Sequence, residues 1–124
     1  MAFSYPKKEK LKSKKLIEKL FSEGKSVSIY PIKLIYLPTM LPEEVKVQCG
    51  VAVAKKNFKS AVQRNRIKRL LREAYRLNKA VVFNNTKGKF AFLFLYLGKE
   101  IPSFKGLEPK MKLLLEKFNT LPHE

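Results

Sequence analysis

Apolar and polar positions repeat along this chain with two periods, and the changes of period mark its elements. Leu16, Ile17, Leu20 and Phe21 recur at helical spacing. Ser13 stands where a cap would begin that helix, and Gly24 follows at the usual stop, so a short helix running to Glu23 is predicted. Residues 30–38 switch to period two, with Ile32, Leu34 and Tyr36 alternating against Lys33, Ile35 and Leu37. Pro38 and Pro42 bracket a turn. Residues 45–54 alternate again, with Val47, Cys49, Val51 and Val53 on one face and Gln48, Gly50, Ala52 and Ala54 on the other. The short connection predicts that these two strands pair antiparallel. The small residues of the second face leave room either for a closely packed helix or for a shallow ligand cleft.

A long helix is predicted next, from Phe58 or Ser60 to Asn78. On a wheel of about 100° per residue, Ile67, Leu70, Leu71, Ala74 and Leu77 fall within roughly 120°. Arg64, Asn65, Lys68, Arg69, Arg72 and Arg76 fill an arc of about 140° beyond them. Residues 80–89 read as a loop, with Asn84-Asn85 and Gly88 as turn signals. Phe90–Leu97 is apolar on both faces, as in a central or parallel strand. Gly98 ends it, and a last helix is predicted from Glu108 or Pro109 to Asn119, with Met111, Leu114, Leu115 and Phe118 inward and Pro109 in its first turn. Strand, basic helix, strand forms a βαβ unit in a single α+β domain spanning 1–124, with residues 1–12 as a flexible basic arm.

Charge changes this picture from a fold to a partner. The chain carries 27 Lys and Arg against 10 acids, a net charge of +17. Between Lys55 and Lys79 there are ten basic residues and one acid, Glu73. A solvated helix usually mixes signs through i,i+4 pairs, whereas this one displays a nearly unbroken cationic strip that calls for a polyanion. The inventory for chemistry is thin: no Asp, one His at 123, one Cys at 49, and Glu43-Glu44 as the sole adjacent acids. Metal-dependent nucleases gather carboxylates, and general acid–base work most often uses His, so the chain is equipped to bind a phosphodiester rather than to cleave it alone. One Cys forms no internal disulfide and no Cys-based zinc site, and Cys49 reads as a buried core thiol. The N-terminus lacks the apolar run of a signal peptide and no segment reaches membrane-spanning length, so a cytoplasmic protein with no membrane contact is expected.

Nucleic acid is the favoured polyanion. The helix is flanked by strands, unlike a helix-turn-helix entering the major groove, and a rigid cationic face beside a sheet suits RNA. Phe21, Tyr36, Tyr75 and the Phe-rich strand are candidate stacking surfaces, against the commoner role of aromatics as core. Val62-Gln63-Arg64-Asn65-Arg66-Ile67-Lys68-Arg69-Leu70-Leu71-Arg72-Glu73, preceded by Val51-Ala52-Val53-Ala54-Lys55-Lys56, closely resembles the signature of the bacterial ribonuclease P protein component. The order of elements resembles that family over nearly the whole chain.

That resemblance implies more than the spacing does. It implies an α/β sandwich similar to ribosomal protein S5 domain 2, with a left-handed βαβ crossover. It implies a subunit of a holoenzyme in which a catalytic RNA, with Mg²⁺ held mainly by that RNA, removes 5′ leaders from precursor tRNA, so that no protein residue is catalytic and no metal-ligand residue is assigned. The partners it implies are the catalytic RNA and precursor tRNA, with no obligate protein partner. Lys55, Lys56, Arg64, Asn65, Arg66, Lys68, Arg69, Arg72 and Arg76 match the family's RNA-contacting segment. Phe21 matches an aromatic of the cleft that holds the leader, Ile17 falls where that cleft commonly has an aromatic, and Leu34 and Tyr36 are further cleft candidates. The alternatives are a ribosomal or RNA-chaperone-type binding protein, and a self-sufficient nuclease, which the missing Asp and His disfavour.

Overall fold

The computed structural model describes residues 7–41, 45–85 and 88–122, without the side chains of 83–85. Glu43-Glu44, His123 and the first six residues of the basic arm lie outside them. A 3₁₀ turn, Lys7–Glu9, precedes helix α1, Lys14–Glu23. Strands β1, Lys25–Ile29, β2, Ile32–Pro38, and β3, Val47–Val53, follow. Helix α2, Ala61–Asn85, leads to β4, Phe90–Tyr96, and helix α3, Phe104–Thr120, closes the chain.

The sheet order is β1-β2-β4-β3, with β1–β2 and β2–β4 antiparallel and β3–β4 parallel. The predicted pairing of β2 with β3 therefore does not occur. The eight-residue connection between them (39–46) is short, but β4 inserts between the two strands. Strand β4 is apolar on both faces and fits only the interior of the sheet. Strand β1 was not legible as a strand, because its Lys-Ser-Val-Ser-Ile sequence buries only Val27 fully and leaves Ser26 and Ser28 to solvent at the sheet edge.

Period two sorts the sheet into two faces. Ile32, Leu34, Tyr36, Val47, Cys49, Phe90, Phe92 and Phe94 pack under α2 and α3 with Ile67, Leu71, Tyr75, Met111 and Phe118 in the main core. Aromatic edges hold its centre: Phe118 meets Tyr36 and Phe92 with ring centroids 4.9 Å apart in both cases. Ile35, Ala91 and Leu93 point to the other face, where Leu11 and Leu20 cover them. Cys49 is a buried thiol.

Hydrogen bonding fixes the hand of the β3–α2–β4 crossover. Seen from the helix side with β3 and β4 pointing up, an L residue whose side chain faces the viewer aims its own N–H and C=O to the right. Phe90 faces the helices and donates its N–H to Lys46 O at 2.9 Å, so the β3 segment lies to the right of β4. The chain passes from β3 over the helix face to β4 from right to left, which is a left-handed connection and an exception to the usual rule.

Helix α1 has its predicted bounds, whereas the end of α2 and the start of α3 differ from the predicted ones. Helix α1 is capped as expected, with Ser13 Oγ accepting from Leu16 N at 3.2 Å. Gly24 ends it, yet in extended rather than left-handed backbone. Glycine is needed there for space, since a Cβ would stand 2.3 Å from Leu20 O and 2.8 Å from Ile35 Cγ2. Helix α2 runs through the predicted loop to Asn85, and Val82, buried against the main core, extends its inner stripe by two turns beyond Ala74. Helix α3 begins at Phe104, because Ser103 caps it by accepting from Gly106 N at 3.1 Å. Pro109 therefore lies inside the helix, in its second turn rather than its first.

Candidate nucleic-acid interface

Helix α2 buries Ile67, Leu71, Ala74, Tyr75, Asn78, Lys79 and Val82. This stripe is rotated by about 60° on the wheel from the predicted one. Leu70 is half-buried and Leu77 is 37% exposed, so the Leu70–Leu77 edge flanks the core instead of centring it. The rotation comes from residues that a purely apolar count omits. Tyr75 packs on Phe94 with centroids 5.5 Å apart, and Asn78 Nδ2 donates to Ala74 O and to Glu108 Oε2 of α3, each at 2.8 Å.

The cations of the Lys55–Lys79 stretch divide into distinct groups. Arg66, Arg69 and Arg72 are exposed along α2 with Asn65, and Lys55 and Lys56 are exposed in the turn before it. Lys68 is half-buried at the margin of this surface. Arg64 turns back instead, and its Nη1 donates to Phe58 O at 2.7 Å and Lys59 O at 2.9 Å. It thereby fastens the turn to the helix start, where Ser60 Oγ accepts from Gln63 N at 3.3 Å. Arg76 is paired with Glu73, its Nε donating to Oε2 at 3.2 Å, and this bond holds the Glu73 carboxyl below its usual range. Lys79 is buried against Glu9. The exposed cations form the contiguous part of the face, and Arg64 and Arg76 are engaged within the protein.

The sheet face under α1 supplies a second feature. Leu11, which donates its N–H to Cys49 O at 2.9 Å, packs over Gly50 at the free side of β3. A Cβ on Gly50 would meet Leu11 Cβ at 3.3 Å and Leu93 Cδ1 at 3.4 Å, so the bare glycine makes this close packing possible. Beside it opens a groove of about 260 Å³, with Lys10 and Lys12 on one wall, Ile17 of α1 on another, Gly50 and Leu93 at its floor and Arg72 of α2 at its rim. Phe21 follows Ile17 by one helical turn and is 60% exposed. The small face of β3 is thus covered at Gly50 by the extended segment around Leu11 rather than by a helix, with the groove open beside it.

Leu34 and Tyr36 do not line this groove. Both are buried on the opposite sheet face, under α2 and α3, and burial pushes the Tyr36 phenol above its usual range. Successive side chains of a strand point to opposite faces, so the β2 residues facing the groove side are Lys33, Ile35 and Leu37. Lys33 lies in one row with Leu95 and Ala52 across three strands. In the sequence it stands out as the lone cation of an otherwise apolar strand. Tyr75 is also fully buried, which leaves Phe21 as the exposed member of the proposed stacking set. Among the described residues, no three His, Cys, Asp or Glu side chains come together as metal donors. The described residues do not form a Mg²⁺ cage. No described helix is long and apolar enough to cross a membrane.

Known proteins share both the sequence and the fold. The Ribonuclease P family matches over residues 5–119. The ribonuclease P protein component of Porphyromonas gingivalis is 38% identical over 116 residues, covering 89% of this chain and 82% of the relative. That of Chlorobium phaeobacteroides is 38% identical over 125 residues, covering 90% and 86%. The solved RNase P protein of Thermotoga maritima superposes with a TM-score of 0.71 at 24% identity, covering 88% of this chain and 96% of that one. The Staphylococcus aureus RNase P protein gives 0.70 at 18% identity over 89% and 94%, a likeness of fold. With a family match across nearly its whole length and relatives more than a third identical over most of theirs, the chain belongs to the family of ribonuclease P protein components.

Proposed function

We propose that this protein is the RNA-binding subunit of a ribonuclease P holoenzyme, and that it assists an RNA-catalysed cut that releases the 5′ leader of precursor tRNA. The observation that carries this reading is the exposed, rigid face of Asn65, Arg66, Arg69 and Arg72 in a member of this family. Arginine on such a face binds phosphate by charge and by forked hydrogen bonds, and a helix anchored by a buried stripe holds those forks at fixed spacing. Lys55 and Lys56 extend the face towards the catalytic RNA. The groove between the N-terminal segment, α1 and β3 is the seat for the single-stranded leader: Lys10, Lys12 and Arg72 meet its phosphates, and Ile17 and Phe21 offer apolar contact to its bases. The protein's role is binding and positioning, with the Mg²⁺ of the reaction held by RNA phosphates.

The test is reconstitution of the full chain with the cognate catalytic RNA at low Mg²⁺. Cleavage of precursor tRNA is expected to rise when the protein is added, and no gain would sink the proposal. RNA co-purified from cells is expected to be the catalytic RNA. Ribosomal RNA in its place would favour a ribosomal or chaperone-type role.

A further inference from the structure

Lys79 Nζ lies 2.8 Å from Glu9 Oε1, a contact that joins residues 70 apart in the chain. The side chains are 5% and 11% exposed. Lys and Glu are seldom buried, and an ion pair withdrawn from water recovers its desolvation cost only with good geometry. Its position explains more than its strength does. Among the described residues, three hydrogen bonds stand out in holding the segment around Glu9. Leu11 N donates to Cys49 O at 2.9 Å and Gln48 Nε2 donates to Lys8 O at 3.2 Å, and both of these reach β3. Of the three, the Glu9–Lys79 pair is the one that reaches α2. Lys79 stands seven residues, two helical turns, beyond Arg72 and on the same side of the helix. Immediately after Glu9 the chain supplies Lys10, Leu11 and Lys12 to the groove that Arg72 borders. Residues 7–12 are thus docked to the sheet edge and to α2, where composition suggested a flexible arm.

We propose that Glu9 and Lys79 are a positioning pair for substrate binding. By clamping the N-terminal segment to α2, the pair sets Lys10 and Lys12 against Arg72 at the groove, so that all three cations meet one phosphodiester strand together. This rests on the leader-groove reading above. Neither residue touches RNA. Losing either charge of the pair keeps Lys10, Lys12 and Arg72 in the chain but releases the N-terminal segment from α2.

The experiment uses holoenzyme reconstituted from the full chain and its cognate catalytic RNA. Binding is measured to precursor tRNA with a long leader and to the same tRNA with its leader cut back to one nucleotide. Glu9→Gln and Lys79→Gln are each expected to lose affinity several-fold for the long-leader substrate and to bind the short-leader substrate and the catalytic RNA as before. The log–log salt slope of the long-leader complex is expected to fall by up to about 1.4, two phosphate contacts at about 0.7 each for a single strand. The exchange Glu9→Lys with Lys79→Glu is expected to restore both. Equal losses for the two substrates, or no restoration by the exchange, would reduce the pair to a stability role and overturn the proposal. Should the single variants fail to fold, Lys10→Ala with Lys12→Ala in the intact clamp must reproduce the leader-specific loss, and its absence overturns the proposal equally. If the unaltered holoenzyme does not distinguish the two substrates, the leader-groove reading fails first. If it does and Glu9→Gln behaves like it, the clamp alone fails.

Discussion

Arg64 and Arg72 lie about two turns apart on α2 and have opposite surroundings. Arg72 is exposed at the groove rim, whereas Arg64 Nη1 is held by the carbonyls of Phe58 and Lys59. Arg72→Ala is expected to weaken RNA binding and to flatten its log–log salt slope by about 0.7–0.9, one phosphate contact, while leaving the melting temperature unchanged. Arg64→Ala is expected to lower stability by about 1.5 kcal/mol, the lower end for hydrogen bonds to a charged donor, because the turn before α2 loses its tie. Thermal melts and salt-titrated binding of the two variants separate these roles, and an unchanged slope for Arg72→Ala would remove it from the phosphate-binding surface. The residue types were legible in the sequence, but their partners were not. A guanidinium that reaches its own turn and one that faces solvent look alike until the backbone around them is built.

Among the elements, α2 shows best how far a pattern carries. Its period and its two-faced character followed from the spacing of apolar residues, but the centre of the buried face did not. Leu71 is fully buried and Leu77 is partly exposed. Leu71→Ala is expected to cost roughly 2–5 kcal/mol, and Leu77→Ala much less, as measured by denaturant or thermal unfolding. Equal costs would contradict the observed rotation of the helix. Period alone could not locate that centre, because Tyr75, Asn78 and Lys79 count as polar or amphipathic in a sequence and are buried by bonds to α3 and Glu9 or by packing on Phe94. The same reason hid the true start of α3: Ser103 was a sufficient cap, but Gly106 and Pro109 inside the first two turns argued for a later one.

At the scale of the whole molecule, charge opposes compactness. A net charge of +17 on 124 residues is self-repulsive, and the exposed face of α2 concentrates it beside the groove. Anions that bind the folded form but not the unfolded chain stabilise by mass action. The melting temperature is expected to rise as sulfate or phosphate is added, and by more than with chloride at equal ionic strength. Equal effects of the salts would indicate general screening and not an anion-binding face. On the proposed function, the cognate RNA would be the extreme case of the same linkage.

The sequence by itself determined a basic α+β domain, the number of long helices, the central place of the last strand, the scarcity of Asp and His and, through the Val62–Glu73 motif, the family. These are local or compositional properties, set by residue type and by spacing along the chain. The tertiary structure alone decided that β4 separates β2 from β3, that Leu34 and Tyr36 are sealed in the core while Lys33 is not, and that residues 7–12 are clamped to α2. Each depends on which distant residues meet. Glu9 and Lys79 form one contact across 70 positions of sequence, and no periodicity within either segment encodes the other.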